Sequence, residues 1–531
     1  MKKSLFAFGK FLLGLLVARG QPTMDLTVEH AETPLGPWRA LTRLHVPQAS
    51  AAFFRVALVA CALTSSVHSA TIYVENGGKL GEAISNATWG TTIVVAPGNY
   101  TANNLLKPGV DWYFAEGAVV YFREPNSGPG WGIFDDRPSG PTTNYIGGFG
   151  RFNYVVGIPG YTNTGTFSTD PTNFNVIGMV VVTNSTSKVF INADVLEAGY
   201  VGGFANFAVL NAIDGEVRVN ARDIKDTYAG TTVPIGADEE GTDQGNGTGT
   251  VTAVLWQNGE MYVNAQSVRA ASRYAIWCEQ VAGSRTTNNF YLNAQLIQNY
   301  GGLSTIYMVG YSNEYRTWVT ANLVERLGGA AGYSAYAAYS GGRHYLTCQK
   351  ASNFGGDAVI ALSSPSSNVT AWVTAQKITA ATNSNWIKIY NSGGTLYADI
   401  HHFEDAGAMA RGIWIQGGEL HLRGGIGKVL AGDGIVLTNC NAHIDNLWLD
   451  TSTANQATNR PLTLYGSATA RLKNVDLLAP ALAWGIQATQ AHSIKILGTG
   501  GARVNKASAA AGGSTNITAQ VGTIVYDTNL Q

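Results

Sequence analysis

From residue 189 onward one pattern of positions recurs: apolar, any, apolar, any, Ala, any, any, apolar. It reads VFINADVL (189–196), VRVNARDI (217–224), MYVNAQSV (261–268), FYLNAQLI (290–297), TWVTANLV (317–324), HYLTCQKA (344–351) and AWVTAQKI (371–378), and LYADIHHF (396–403) continues it. The copies starting at 290, 317, 344 and 371 are 27 residues apart, and the one long step, 217 to 261, is 44. Period-2 alternation predicts a strand in each copy. A Gly, Ala or Asn turn and a second apolar run come after each one, as in RYAIW, STIYMV, DAVIAL, NWIKIY, RGIWI and DGIVL. Strands this short cannot bury an apolar face alone, so the repeats must stack on one another. The predicted fold is all-β, a right-handed parallel β-helix. A leucine-rich horseshoe lacks its Leu and Asn ladder here, and a propeller needs four strands per blade.

Alternation also assigns the two faces. Inward positions are Val189, Val217, Met261 and Phe290, then Ile191, Val219, Val263, Leu292, Val319, Leu346 and Val373, then Ala193, Ala221, Ala265, Ala294, Ala321, Cys348 and Ala375. The small third residue is expected to let the chain bend into the next turn. Slipping by one residue would bury Arg218 unpaired, which is costly. His344 falls on the inward side as a core histidine.

Composition agrees with many strands and tight turns. Charged residues are 13% against about 25% in an average domain, and Gly is 63 of 531. A net charge of −1 spreads no basic field, so nucleic acid is not an expected partner. Cys61 lies in a leader-like run, and Cys278, Cys348 and Cys440 are odd in number and lack zinc spacing, so no disulfide scaffold is expected. Two runs near the start have the layout of secretory signals, Leu5 to Ala18 after two lysines and Phe53 to Ala70. Neither reads as a membrane span. Residues 1–69 are expected to be leader, and 70–531 one β-helix domain of a secreted or cell-surface protein.

After Ala70 the chain reads TIYVENGGKLGEAISNATWGTTIVVAPGNYT, with Leu80, Ala83, Ile84 and Ala87 at helical spacing. This segment resembles the N-terminal cap and first coil of the pectate-lyase-like right-handed β-helix superfamily, and GIWIQGG and GDGIVLTNCN are similar to its later coils. The resemblance implies a short helix over the open end of the stack. For activity it implies little, because that superfamily spans lyases, hydrolases, esterases, tailspikes and adhesins. The Arg-x-Pro-x-x-Arg signature of pectate lyases is broken, with Arg123 and Pro125 present but Gly128 in place of the second Arg. Asp135-Asp136 stand without the other motifs of polygalacturonase-like hydrolases.

Candidate chemistry therefore comes from position. The outward column beside the Ala row carries Tyr262, Tyr291, Trp318, Tyr345, Trp372 and Tyr397 on consecutive coils, preceded by Phe190 and Arg218 and continued by His421 and His443 if the later coils keep step. With coils about 4.8 Å apart, six rings form a stripe roughly 24 Å long. Three uses are open to it: a platform for sugars, with Asn264, Asn293, Thr320, Thr347, Thr374 and Asp399 beside it as hydrogen-bonding groups; a ladder of rings stacked on one another; or a surface buried by a loop or subunit. Asp238, Glu239, Glu240 and Asp243 in the long insertion suit Ca²⁺ or a solvated acidic loop. Arg269, Arg273 and Arg326 are placed on turns beside the stripe, where guanidinium groups could neutralise a uronate carboxylate for β-elimination, a Tyr or other base taking the proton, or simply pair with surface acids. His401-His402 with Glu404-Asp405 reads as a solvated turn rather than a metal site. The expected partner is extracellular polysaccharide, met by a lyase-type enzyme or by a non-catalytic adhesin or tailspike-like protein, as monomer or homotrimer.

Overall fold

In a computed structural model, the protein is described over residues 70–531 except 103, 124–131, 157–176, 201–206, 229–250, 272–273, 281–287, 301–302, 329–332, 364–368, 382–383, 391–392, 408–410, 452–459, 479–485, 489–492, 498–501, 505–515, 521–524 and 527–531. His68–Gln531 is one compact unit. Its strands pair in parallel into two walls, sheets of 23 and 13 strands, wound as a right-handed parallel β-helix. Each repeat adds one strand to the first wall, such as Glu260–Ala270, and one to the second, such as Tyr274–Glu279. Among the described residues no helix is long and apolar enough to cross a membrane.

The register is the one the repeat predicts. Val217 pairs with Met261, Met261 with Phe290, and so on through Ala371 with Leu396. The 44-residue step leaves it undisturbed, because Asn264 Nδ2 still donates to Asn220 Oδ1 at 2.9 Å across the insertion. Residues 229–250, which include Asp238, Glu239, Glu240 and Asp243, lie outside the described residues.

The first wall is bent. Its strands run unbroken in sequence, yet Asp194 and Arg222, then Gln266 and Gln295, are skipped in the pairing. Burial changes parity at the same place: Met261 and Val263 point in before it, Val268 and Ala270 after it. One residue is spent turning a corner, and the two arms then face different directions. The small Ala row sits immediately before that corner, as expected. Early and late coils open the corner entirely, splitting the strand into Thr143–Gly148 and Arg151–Val156, or Glu419–Arg423 and Ile426–Lys428. At the last described corners Asn446 and Asn474 take φ of 57° and 52°, a left-handed conformation Asn tolerates best after Gly. Asn474 Nδ2 donates to Asn446 Oδ1 at 3.1 Å, so the corner is stapled from coil to coil.

The interior is apolar and continuous from Val74 to Leu477. The helix Leu80–Asn86 buries Leu80 and Ala83 at the N-terminal end, and Lys107 Nζ donates to the carbonyls of Ile84 at 3.0 Å and Ala87 at 2.6 Å, a cation placed where the helix dipole favours it. In the Met261 row the interior turns polar on adjacent coils at Thr317 and His344, both fully buried. They satisfy each other: His344 Nε2 faces the carbonyl of Gly341 at 2.7 Å and so carries the proton, leaving Nδ1, at 3.0 Å, to accept from the Thr317 hydroxyl. A Cβ at Gly342, whose φ is +91°, would stand 2.8 Å from Nε2, so the close approach depends on glycine.

The corner and the buried histidine each carry an expected effect on stability. Both Asn446→Gly and Asn446→Ala lose the bond from Asn474, but Asn446→Ala should cost roughly 1–2 kcal/mol more through left-handed strain; equal losses in the unfolding midpoint would remove the corner argument. Burial lowers the His344 pKa to about 4. Between the ordinary histidine value and that figure the unfolded chain takes up a proton that the folded chain refuses, so stability falls as pH drops through this window, by about 3 kcal/mol. Urea midpoints at pH 7 and pH 4.5 should show this loss in the native chain and a smaller one in His344→Gln; equal losses would mean that His344 protonates as readily folded as unfolded.

Candidate functional site

The outward face of the first arm carries the aromatic column where the repeat placed it. Tyr262, Tyr291, Trp318, Tyr345, Trp372 and Tyr397 are neighbours on successive coils, with ring centroids 4.5–5.5 Å apart and planes within 8° of parallel. Upstream, Tyr145 stacks on Phe190 at 4.6 Å, and Arg218 sits between Phe190 and Tyr262, its guanidinium carbon 5.7 and 4.6 Å from the two ring centroids. Downstream the column continues in step through His421 and His443.

Each interior ring of this column spends both faces on its neighbours. A sugar ring packing C–H groups on an aromatic face finds only edges there. Truncating Trp318 or Trp372 breaks two ring contacts, each worth about 0.5–1.5 kcal/mol, so such a variant reports on stability as much as on binding. Burial and the Glu260 carboxylate, which accepts from the Tyr262 hydroxyl at 3.1 Å, push the Tyr262 phenol up to about 12. Burial raises Tyr291 as well. Both stay protonated and serve as donors, not as bases.

Where the rings give way to histidine, a basin of about 430 Å³ opens on the same face. Its walls are Trp372, Tyr397, His421, His443 and Arg471 from the aromatic column, and Thr374, Asp399, Arg423, Asp445 and Lys473 from the polar column beside it. Thr374, Asp399, Arg423, Asp445 and Lys473 succeed one another coil by coil. The polar column thus alternates carboxylate and cation. Its pairs are long, Arg423 to Asp399 at 4.0 Å and Lys473 to Asp445 at 3.8 Å, and the cations are largely exposed, so their mutual attraction is weak. His421 Nε2 lies 3.0 Å and His443 Nε2 3.8 Å from the same Glu419 oxygen. Burial first, then the charges of His421 and Arg471, lower the pKa of His443, while Glu419 opposes them.

Two of the three arginines expected on turns beside the stripe, Arg269 and Arg326, lie elsewhere. Arg269 and Arg326 lie in strands of the second arm, beyond the bend, not in turns. They also face opposite ways: Arg269 shares an outward row with Gln298 and Glu325, whereas Arg326 shares the inward row of Asn299 and Asn353. Arg326 is fully buried. Its Nε donates to the carbonyl of Leu303 at 2.9 Å and an Nη to Asn353 Oδ1 at 3.1 Å, tying the second arm to the next turn, and burial lowers its pKa to about 10. Arg326 is thereby excluded from contact with a polymer on the outer surface. The sequence reading ends the strand at the repeat and puts these residues on turns, whereas the strand continues past the skipped corner position and carries both of them. Arg273 lies outside the described residues, as do the four acidic loop residues.

Other acidic and histidine motifs resolve into structure. Asp135 pairs with Arg137 and accepts from the backbone of Gly132 and Arg137; Asp136 accepts from the Thr183 amide and hydroxyl and the Asn184 amide, each at 2.9 Å. His401 and His402 are both exposed because the corner falls at His401. Among the described residues no group of three or more His, Cys, Asp or Glu is arranged to hold a metal. Arg423, Asp445, Arg471 and Lys473 were missed, although counting two residues on from His421 and His443 and one coil further would have found them.

No protein-family model matches the chain, and no curated protein matches it. Among solved structures it is similar to a family 28 exopolygalacturonase of Yersinia enterocolitica, at 11% identity over 87% of this chain and 78% of that one, with a TM-score of 0.21. The assignment of the fold rests on the strand register.

Proposed function

We propose that this chain is a secreted or cell-surface protein that binds an acidic polysaccharide along the first arm, with the basin as the anion-recognising end. The observation that carries the reading is the alternation of Asp399, Arg423, Asp445 and Lys473 along one column, with Arg471 beside it. Like charges recur every second coil, about 9.6 Å apart at the usual strand spacing. An extended glycan advances by roughly one coil per sugar, so this spacing fits acid groups on alternate sugars. Arg423, Arg471 and Lys473 take the acid groups, the two carboxylates accept hydroxyls, and the edges of Trp372 and Tyr397 line the approach.

The same groups suit β-elimination. Arg471 neutralises the uronate carboxylate, and the adjacent His443, kept neutral by its surroundings, takes the C5 proton; the electron pair left on C5 forms the C4–C5 double bond as the C4–O glycosidic bond breaks, and the departing oxygen takes a proton from solvent. A non-catalytic adhesin uses the face without that step.

Affinity electrophoresis through gels containing polygalacturonate, alginate or hyaluronan, with a neutral glucan as control, tests the reading. Retardation is expected in acidic gels only and should be greatest in the alternating polymer hyaluronan. Added salt should weaken it, and the double variant Arg471→Ala/Lys473→Ala should weaken it roughly tenfold or more. Free mobility in every acidic gel, or retardation unaffected by the double variant, refutes it. Appearance of the unsaturated-uronate absorbance with a retarding polymer identifies a lyase, new reducing ends without that absorbance a hydrolase, and neither product a binder.

The same gels test the role of His443. A bound anion favours the protonated imidazole, so retardation should strengthen as pH falls below the ordinary histidine range. His443→Gln should flatten that rise.

A further inference from the structure

The outer face of the second wall has its own row of side chains, and this row is interrupted. Tyr339, Ser363 and Tyr390 occupy one position on three successive coils. Serine stands where a third ring would complete a ladder like that of the first arm. In place of the missing ring is a cleft of about 240 Å³, lined by Tyr339 and Tyr390, floored by Ala361, Leu362 and Ser363, and bounded by Asp357 and Lys388.

The walls of this cleft are held from behind. Tyr307 packs against Tyr339 with centroids 5.0 Å apart, and Trp414 lies 5.9 Å from Tyr390. The Lys388 ammonium is ion-paired with Asp357 and sits 5.2 Å from the Tyr390 ring centroid and 4.9 Å from that of Trp414. The Asp357 backbone is fixed in turn, donating to the Tyr333 carbonyl and accepting from Asn385, all at 2.9 Å.

We propose that this cleft is a second, separate carbohydrate site, which takes one neutral pyranose residue between Tyr339 and Tyr390. Residues two coils apart are separated by about 9.6 Å, leaving about 4.8 Å on each side of an inserted ring. That is the spacing at which the rings of the first arm stack, and it equally admits a puckered saturated ring with C–H groups on both faces. Lys388 is already neutralised by Asp357, so the cleft offers no net charge to an anion. It offers instead an acceptor and a donor set side by side, the arrangement that adjacent hydroxyls require. The site is independent of the acidic-polymer reading, because it lies on the other wall and uses none of the basin residues.

Saturation-transfer NMR on the full chain, with methyl β-glucoside, methyl β-galactoside, methyl α-mannoside and methyl β-N-acetylglucosaminide as probes, decides it. At least one is expected to bind 1:1 with a Kd of roughly millimolar. Ser363→Tyr completes the ladder and fills the cleft, so it should abolish binding. Tyr390→Ala, at a partly exposed ring, should weaken binding roughly tenfold and covers the case in which Ser363→Tyr fails to fold. The basin variant Arg471→Ala/Lys473→Ala should bind the same glycoside as the native chain does. No binding of any of the four, or binding undiminished in folded Ser363→Tyr or Tyr390→Ala, overturns the proposal, and either result leaves the retardation by acidic polymers standing or falling on its own.

Discussion

Everything on the surface of this molecule is set by parallel hydrogen bonding between coils in strict register. Because each strand pairs with its copy one repeat later, a residue's nearest lateral neighbour is its own counterpart, about 4.8 Å away. A preference expressed once in the repeat therefore becomes a row. Like charges in such a row repel, whereas rings stack and amides bond one to the next, as Asn192, Asn220 and Asn264 do. This accounts for a face rich in Tyr, Trp, Asn and Thr and a chain with few charges. The Arg218 guanidinium is tolerated within the ring column because it lies between two rings and pairs with Glu216 at 2.7 Å.

The same constraint explains what could be read from sequence and what could not. Inward and outward positions of the first arm come from alternation alone, and so do the burial of His344 and the continuation of the column to His421 and His443; the helix comes from apolar residues at helical spacing, Leu80, Ala83 and Ile84. The reading fails at the skipped corner residue, since a shift of parity by one exchanges inside and outside for everything after it. Arg326 is the clearest case: counted along an uninterrupted strand it belongs to the surface, and in the structure it serves buried carbonyls. The exposure of both His401 and His402 has the same cause. The corner's trace in the repeat is the doubled variable position between the small Ala and the next apolar residue, which a strictly alternating count passes over.

Sequence could locate the aromatic column but could not say what its rings do. That depends on whether their faces are free, and the observed interplanar angles show that they are not. Face-to-face stacking gives the first arm rigidity, each contact contributing about 0.5–1.5 kcal/mol, and the same stacking withdraws those faces from any ligand.

A ligand that must displace a ring from such a ladder loses about as much contact as it gains. A ligand entering where a ring is missing loses nothing, and gains the contacts the ladder lacks. Binding on a stacked surface should therefore concentrate at interruptions in its rows. In this chain those interruptions are the change from Trp372 and Tyr397 to histidine and arginine on the first wall, and Ser363 between Tyr339 and Tyr390 on the second. Both coincide with a concavity among the described residues of their walls. The first is bordered by exposed cations and the second by an internally neutralised pair, so the two differ in the charge of what they can hold. Two chemically distinct sites on opposite walls would let one chain engage two kinds of glycan at once, and linkage through a rigid scaffold raises the effective concentration of the second once the first is bound.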